Sequence, residues 1–273
     1  MSDSQMPELL LGKPTHYDQD YSPDLLVSVP RQQQRATLKH VAPFGYDVWN
    51  AYEVSWLTPN GLPVVRLARL IFPAESRALI ESKSLKLYLN SFNMTTFSSD
   101  QDVRETIRND LSKAVEAPVD VQLFGLNALS EWAVGAPQGI CLDTLETNCH
   151  HYAYRPEILQ TAPRGDWNEE TLFSHLLRSN CLVTGQPDWA TVHIVYTGYR
   201  IEHTSLLQYL VSYRQHREFH EHCVERIFSD IWTLGGIDKL VVRAQYTRRG
   251  GLDINPVRSS QPIPITFSRW IRQ

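Results

Sequence analysis

The sequence predicts an α+β protein in which one architecture is used twice, and three observations carry that reading. Two runs rich in β-branched and aromatic residues, DVWNAYEVSWL (47–57) and VVRLARLIF (64–72), flank TPNGLP, whose Asn60-Gly61 pair is a hairpin turn signal. A helix-period stretch and a further strand-like run, VDVQLFGL, follow them. The second half then repeats the order: a strand-like TVHIVYTGYRIE, a long helical region and a strand-like DKLVVRAQYT.

Residues 1–40 are polar and carry Pro14, Pro23, Pro30 and a QQQ tract, which suits an extended surface arm. Modules are expected at 41–140 and 141–273. The helix over 98–115 takes Ser98 or Ser99 as N-cap, has acidic residues in its first turn, and places Val103, Ile107, Leu111 and Val115 on one face. The helical region 204–232 takes Thr204 as N-cap. It buries Leu206, Leu207, Leu210 and Val211, then Cys223, Val224, Ile227, Phe228 and Ile231, with a polar gap at Arg214–Glu218 that breaks it.

Bulk properties narrow the function. A chain of 273 residues with 42% apolar and 21% charged residues supports real cores and gives no sign of disorder. A net charge of −4 and a pI near 6.2 speak against gripping a nucleic-acid backbone, which takes clustered Lys and Arg. The opening MSDSQMPELLLGK lacks a basic region and the apolar run of about 7–15 residues found in export signals. No segment reaches the roughly 18 apolar residues of a membrane span. A cytoplasmic location and small-molecule partners are expected, with Cys141, Cys149, Cys181 and Cys223 as free thiols. GxGxxG and GxxxxGK[ST] are both absent, so neither a Rossmann domain nor a P-loop is expected.

Several residues are candidates for chemistry. Cys181 lies among polar residues in RSNCLVTGQPDWA, ahead of a Gly-x-Pro turn that can fold Asp188 back toward the sulfur, a pairing of nucleophile and acid. The alternative is an ordinary turn with a half-buried thiol. In FHEHCVER, His220 can face inward while Glu221 points about 100° away, and a carboxylate there suits the paired N–H groups of a purine-like base. A packed histidine and a helix-surface glutamate are the plainer reading. His220, His222 and Cys223 together with the cysteine-containing CLDTLETNCHH segment raise a metal reading, but Cys-x7-Cys with flanking histidines is unlike structural zinc knuckles. ESKSLKLYLNSF (81–92) reads as a charged amphipathic stretch, and Arg248-Arg249-Gly250-Gly251 as a phosphate clasp or a decorated turn.

Together, ESKSLKLYLNSFN, SNCLVTGQPDW, SYRQHREFHEHCVERIFSD and YTRRGGLDINP resemble the long, two-module form of the QueF family, NADPH-dependent 7-cyano-7-deazaguanine reductases of queuosine biosynthesis. The resemblance implies tandem tunnelling-fold modules, with antiparallel sheets and helices on one face, and a homodimer. It implies reduction of a nitrile to an aminomethyl group through a thioimide on Cys181, with Asp188 as proton donor, two NADPH consumed and no metal. It assigns Ile80, Glu81, Ser82, His220 and Glu221 to the deazapurine, and Ser82, Lys83, Arg249 and Gly250 to NADPH. The rival classes are a zinc-dependent hydrolase resembling GTP cyclohydrolase, and a non-catalytic purine-binding or tRNA-associated module.

Overall fold

A computed structural model describes residues 20–162 and 166–273. In chain order the strands are β1 (Ser28–Pro30), β2 (Phe44–Leu57), β3 (Pro63–Pro73), β4 (Ala78–Ile80), β5 (Asp120–Phe124), β6 (Val134–Gly135) and β7 (Ile140–Cys141). They continue with β8 (Trp167–Asn180), β9 (Pro187–Tyr199), β10 (Ile237–Tyr246), β11 (Leu252–Ser259) and β12 (Arg269–Trp270). The helices are α1 (Gln32–Arg35), α2 (Ser82–Asn90), α3 (Asp100–Val115), α4 (His203–Ser212) and α5 (His220–Thr233). Among the described residues no helix is long and apolar enough to cross a membrane.

The chain divides into two compact units, each assembled from three segments. Among the described residues one comprises 20–33, 48–132 and 248–253, and the other 34–47, 133–162 with 166–247, and 254–273.

In the first unit β2, β3 and β5 lie in the order β5-β3-β2, with β3 and β5 antiparallel from Leu67↔Phe124 to Ile71↔Asp120. The β2–β3 connection is the expected turn: Thr58 N–H donates to Leu62 O at 2.9 Å, and Gly61 supplies a φ of +79°. Helix α3 begins where Ser99 caps it, its hydroxyl accepting from Asp102 N–H at 3.2 Å. Val103, Ile107, Leu111 and Val115 are fully buried at i+4 intervals, each stabilising by about 2 kcal/mol. The QQQ tract forms α1, and the proline-rich arm is more than a surface wrap: β1 pairs antiparallel with β4 and Val29 enters the core. Pro14 lies outside the described residues.

In the second unit β10 pairs antiparallel with both β9 and β11, β9 pairs antiparallel with β8, and β7 runs parallel along β8. Ala190, Val192, Ile194 and Tyr196 of β9 form one buried face, joined in a single core by Leu206 and Leu210 of α4 and Val224, Ile227 and Ile231 of α5. The polar gap breaks the helix as expected: a single 3-10 turn over Tyr213–Gln215 is followed by an extended segment before α5. The cap of α4 differs from expectation. Glu202, not Thr204, is the N-cap, its carboxylate accepting from Thr204 N–H and Ser205 N–H at 3.0 and 2.5 Å, because a side chain outside the helix can reach two orphan donors at once.

That cap belongs to an internal repeat. The pattern I-E-x-x-S-L-x-x-Y-L-x-S, followed by an aromatic residue, occurs at 80–92 and at 201–213. Its contacts recur as well. Glu81 caps α2 through Lys83 N–H and Ser84 N–H (2.9 and 2.7 Å) as Glu202 caps α4. Tyr21 and Tyr88 donate to Asp110 (2.6 Å each), as Tyr154 and Tyr209 donate to Asp230 (2.8 and 2.5 Å). Tyr21-Ser22-Pro23 and Tyr154-Arg155-Pro156 each lead a 3-10 turn onto the helix, where a serine hydroxyl accepts from the main chain: Val27 N–H to Ser84 and Gln160 N–H to Ser205. Glu202→Ala is expected to lower stability by about 1 kcal/mol, read as a drop in the thermal midpoint of a few degrees.

Candidate active site

The β8–β9 ladder ends at a turn that presents Cys181. Asn180 lies opposite Pro187, Cys181 N–H donates to Gln186 O at 2.8 Å, and Gly185 N–H closes the turn on Cys181 O at 3.0 Å. Gly185 adopts a φ of +67°, and a β-carbon there would lie 3.3 Å from the Arg217 guanidinium, so a side chain would be strained by backbone and neighbour alike.

Residues two apart on a strand, and residues directly opposite, share a face. Ser179 pairs with Asp188, so Ser179, Cys181 and Asp188 look the same way, onto the face that Ala190 and Val192 continue into the core. Cys181 is half-buried and Asp188 is buried. The first turn of α5 meets them. His220 Nε2 lies 3.4 Å from Asp188 Oδ1, and the His220 ring packs against Tyr246 at 4.0 Å between centroids. Glu221 is buried in the same helical turn, where the positive end of the helix dipole favours a carboxylate. The structure thus gathers Cys181, Asp188 and His220 in one unit, with Glu221 beside His220 in the chain.

A second polar cluster braces this one. Glu218 receives Arg226 through both oxygens (2.6 and 3.0 Å) and His216 at 2.8 Å. Burial alone would raise its pKa, but these hydrogen bonds prevail and hold it down at about 2. Ligand atoms of His216, Glu218 and Cys223 lie within 4.8 Å of one another, a grouping distinct from the Cys141 and Cys149 stretch. In that grouping Glu218 is committed to the Arg226 guanidinium and to His216, which leaves it poorly placed to serve as a metal ligand.

The first unit holds a cavity of about 660 Å³. Lys83, Lys86 and Asn90 of α2 line it together with Glu53, Ser55, Gly250 and Gly251. Gly250 has a φ of +57°, and a β-carbon there would sit 3.2 Å from Lys86 Cε, so glycine lets the lysine stem pass. Of the remaining residues assigned from sequence, Ser82 opens α2, and Arg249 N–H donates to Leu252 O at 2.8 Å beside the cavity glycines in the chain. Arg248 stacks on Tyr52 at 4.3 Å. Ile80 is a buried residue of β4, and both Glu81 oxygens accept main-chain N–H groups of α2. Both side chains are engaged inside the first unit.

Sequence reasoning passed over Asn180, Ser179, Tyr246 and Arg217. The stretch Arg214–Glu218 was legible only as a helix break, and nothing in its composition announces which strand its backbone will pair with.

Comparison with known proteins decides the family. A family model described as nitrile reductase, 7-cyano-7-deazaguanine-reductase N-term, matches residues 17–123, and one described as QueF-like protein matches 187–263. The NADPH-dependent 7-cyano-7-deazaguanine reductase of Dechloromonas aromatica is 53% identical over 254 residues, covering 92% of this chain and 89% of that protein. The chain belongs to the QueF family. Another QueF relative, the protein of the same name from Colwellia psychrerythraea, is 47% identical over 99% of this chain and 98% of its own length. The like-named Polaromonas protein is 50% identical over 92% and 93% respectively. Cys181 and Asp188 lie just before and just inside the second QueF match, and Lys83 falls in the first.

Proposed function

We propose that this chain is an NADPH-dependent reductase of 7-cyano-7-deazaguanine, forming 7-aminomethyl-7-deazaguanine for queuosine biosynthesis. The observation that carries the reading is the half-buried Cys181 thiol on the same strand face as Asp188, which lies 3.4 Å from His220. Full-length relatives named for this activity support it.

A nitrile carbon is a weak electrophile, and the proposed chemistry turns on making it a better one. The Cys181 thiol gives up its proton to the Asp188 and His220 pair as its sulfur adds to that carbon, the C≡N bond opens to C=N, and the nitrogen takes a proton from the same pair, giving a thioimide on Cys181. Glu221 holds the paired N–H groups of the deazapurine by bidentate acceptance, and His220 orients it. The thiolate later departs and is free for the next turnover. NADPH, when bound, supplies hydride to the same carbon, two equivalents taking the nitrile to an amine with protons from the protein and solvent. The residues of the first unit fit such a group: Lys83 and Lys86 present ammonium charges for phosphates, and Gly250 and Gly251 leave the backbone open to close approach. Arg249 and Ser82 are its remaining proposed contacts.

The repeated I-E-x-x-S-L-x-x-Y-L-x-S pattern and antiparallel sheets support reading the chain as two tunnelling-fold modules, with breaks near residues 40 and 140. The proposal extends to a cytoplasmic homodimer acting on a small molecule rather than on nucleic acid.

The test is stoichiometry. Intact-protein mass spectrometry after mixing with 7-cyano-7-deazaguanine is expected to find an adduct on Cys181 that NADPH then discharges, with two NADPH oxidised per nitrile in the nicotinamide absorbance. No adduct and no oxidation would overturn the reading.

A further inference from the structure

Asn180, the residue before the proposed nucleophile, makes contacts that no step above uses. It is 8% exposed and sits opposite Pro187. Cys181 and Gln186 form the hydrogen-bonded pair next to it, so the main-chain groups of Asn180 point away from β9, toward the other edge of β8. There they meet the segment that leads into α5. Asn180 N–H donates to His216 O at 2.8 Å, and Glu218 N–H donates to Asn180 O at 3.2 Å. Its side-chain amide then donates to Arg214 O at 3.1 Å and to His216 O at 3.4 Å. The segment is held in its own right, because the Glu218 carboxylate is fixed by His216 and Arg226.

Two and three residues beyond Glu218 stand His220 and Glu221. One asparagine therefore ties the turn that carries Cys181 to the segment that carries His220, the partner of Asp188, and the proposed base-binding carboxylate of Glu221. We infer that Asn180 is a positioning residue for the reaction: its amide, bridging Arg214 O and His216 O, sets the separation of Cys181 from His220 and Glu221.

The physical reason is one of tolerance. Attack needs the sulfur within a few tenths of an ångström of its working position, and a displacement of about 1 Å costs roughly 100-fold in rate. Main-chain pairing alone holds the two segments side by side with some freedom to slide and rotate. An amide donating to two carbonyls two residues apart removes that freedom, because neither bond can lengthen without the other bending. A side chain without donors would leave Arg214 O its contact from the Arg178 guanidinium and His216 O its contact from the Asn180 main chain. The segment would stay paired and lose its fixed orientation.

The inference rests on the proposed covalent addition, and its test separates the two. Asn180→Leu keeps the volume and main-chain pairs but removes the amide. Single-turnover adduct formation is followed by mass spectrometry, and binding of the nitrile base is measured by calorimetry in a Cys181→Ala background with and without Asn180→Leu. The expected result is adduct formation slowed about 10-fold to 100-fold, with affinity for the base changed less than about threefold, so that kcat falls while KM holds. Asn180→Ser, which keeps one donor, is expected to fall between, and decides the matter if the leucine variant does not fold. Adduct formation at the wild-type rate in a folded variant would overturn the inference. Equal losses of binding and of adduct formation would overturn it too, because they mark general disruption of the site. A wild-type chain that formed no adduct would remove the covalent mechanism and this inference with it.

Discussion

Cys181→Ala is expected to abolish covalent adduct formation and to cut NADPH oxidation by at least about 1,000-fold, because the sulfur that adds to the nitrile carbon is gone. Among the described cysteines Cys223 comes nearest as a substitute, being close to Ser179 and Tyr246 behind the site, but it is wholly buried and its thiol is pushed well above the usual cysteine range. Asp188→Asn makes the informative contrast. It keeps the size of the side chain and a contact to His220, yet it can no longer hold or pass a proton, so the adduct should form about 100-fold to 10,000-fold more slowly while the base still binds. Mass spectrometry of the adduct and a nicotinamide assay, run on both variants, separate the roles. An alanine variant that still consumed NADPH at an appreciable rate would assign the nucleophile elsewhere.

Arg258→Met is expected to destabilise the second unit by about 3–5 kcal/mol, a fall in the thermal midpoint of roughly 10 °C. Arg258 is fully buried, and its guanidinium donates to Asp47 at 2.6 Å and to Glu225 at 3.0 Å. Methionine fills much of the space but takes the Arg258 cation away from the buried Asp47 and Glu225 carboxylates, while Arg35 still donates to Glu225 at 2.6 and 3.1 Å. Replacing Asp47 by leucine in the same chain should recover part of the loss, because two well-packed apolar groups are less costly than a buried carboxylate that has lost its guanidinium. The network also sets an acid limit. Burial by itself would raise the Glu225 pKa, but Arg258 and Arg35 outweigh it and hold the carboxyl at about 2. A depressed carboxyl contributes stability in full above its unfolded pKa and loses it as the pH falls toward the folded one, so urea midpoints should drop between about pH 5 and pH 2. In Arg258→Met that decline should be shallower and should end at higher pH, because the folded pKa of Glu225 moves up toward its unfolded value.

Much of the fold was legible from local pattern, since local pattern reports on local physics. The α3 spacing of Val103, Ile107, Leu111 and Val115 is the footprint of a 3.6-residue turn against a core, and all four are buried. Asn60-Gly61 marks a turn because glycine accepts the positive φ found at Gly61. The break at Arg214–Glu218 was visible as missing apolar residues. The site was legible mainly through resemblance, as Cys181 and Asp188 in isolation look like any turn.

By itself, then, the sequence determined the β2–β3 hairpin, helix α3, the broken helical region of α4 and α5, the faces that these helices bury and the family. Each of these follows from residues within about two dozen positions of one another, or from motif identity. Tertiary structure alone decided that Asn180 clamps the 214–218 segment, that Glu202 rather than Thr204 caps α4, that Glu218 and Glu225 are held as buried anions by arginines, and that His220 reaches Asp188. Those pairings join groups from 2 to 190 residues apart in the chain. A hydrogen bond or ion pair is specified by where two atoms stand in space, and chain spacing constrains that only when a single helix or hairpin carries both partners.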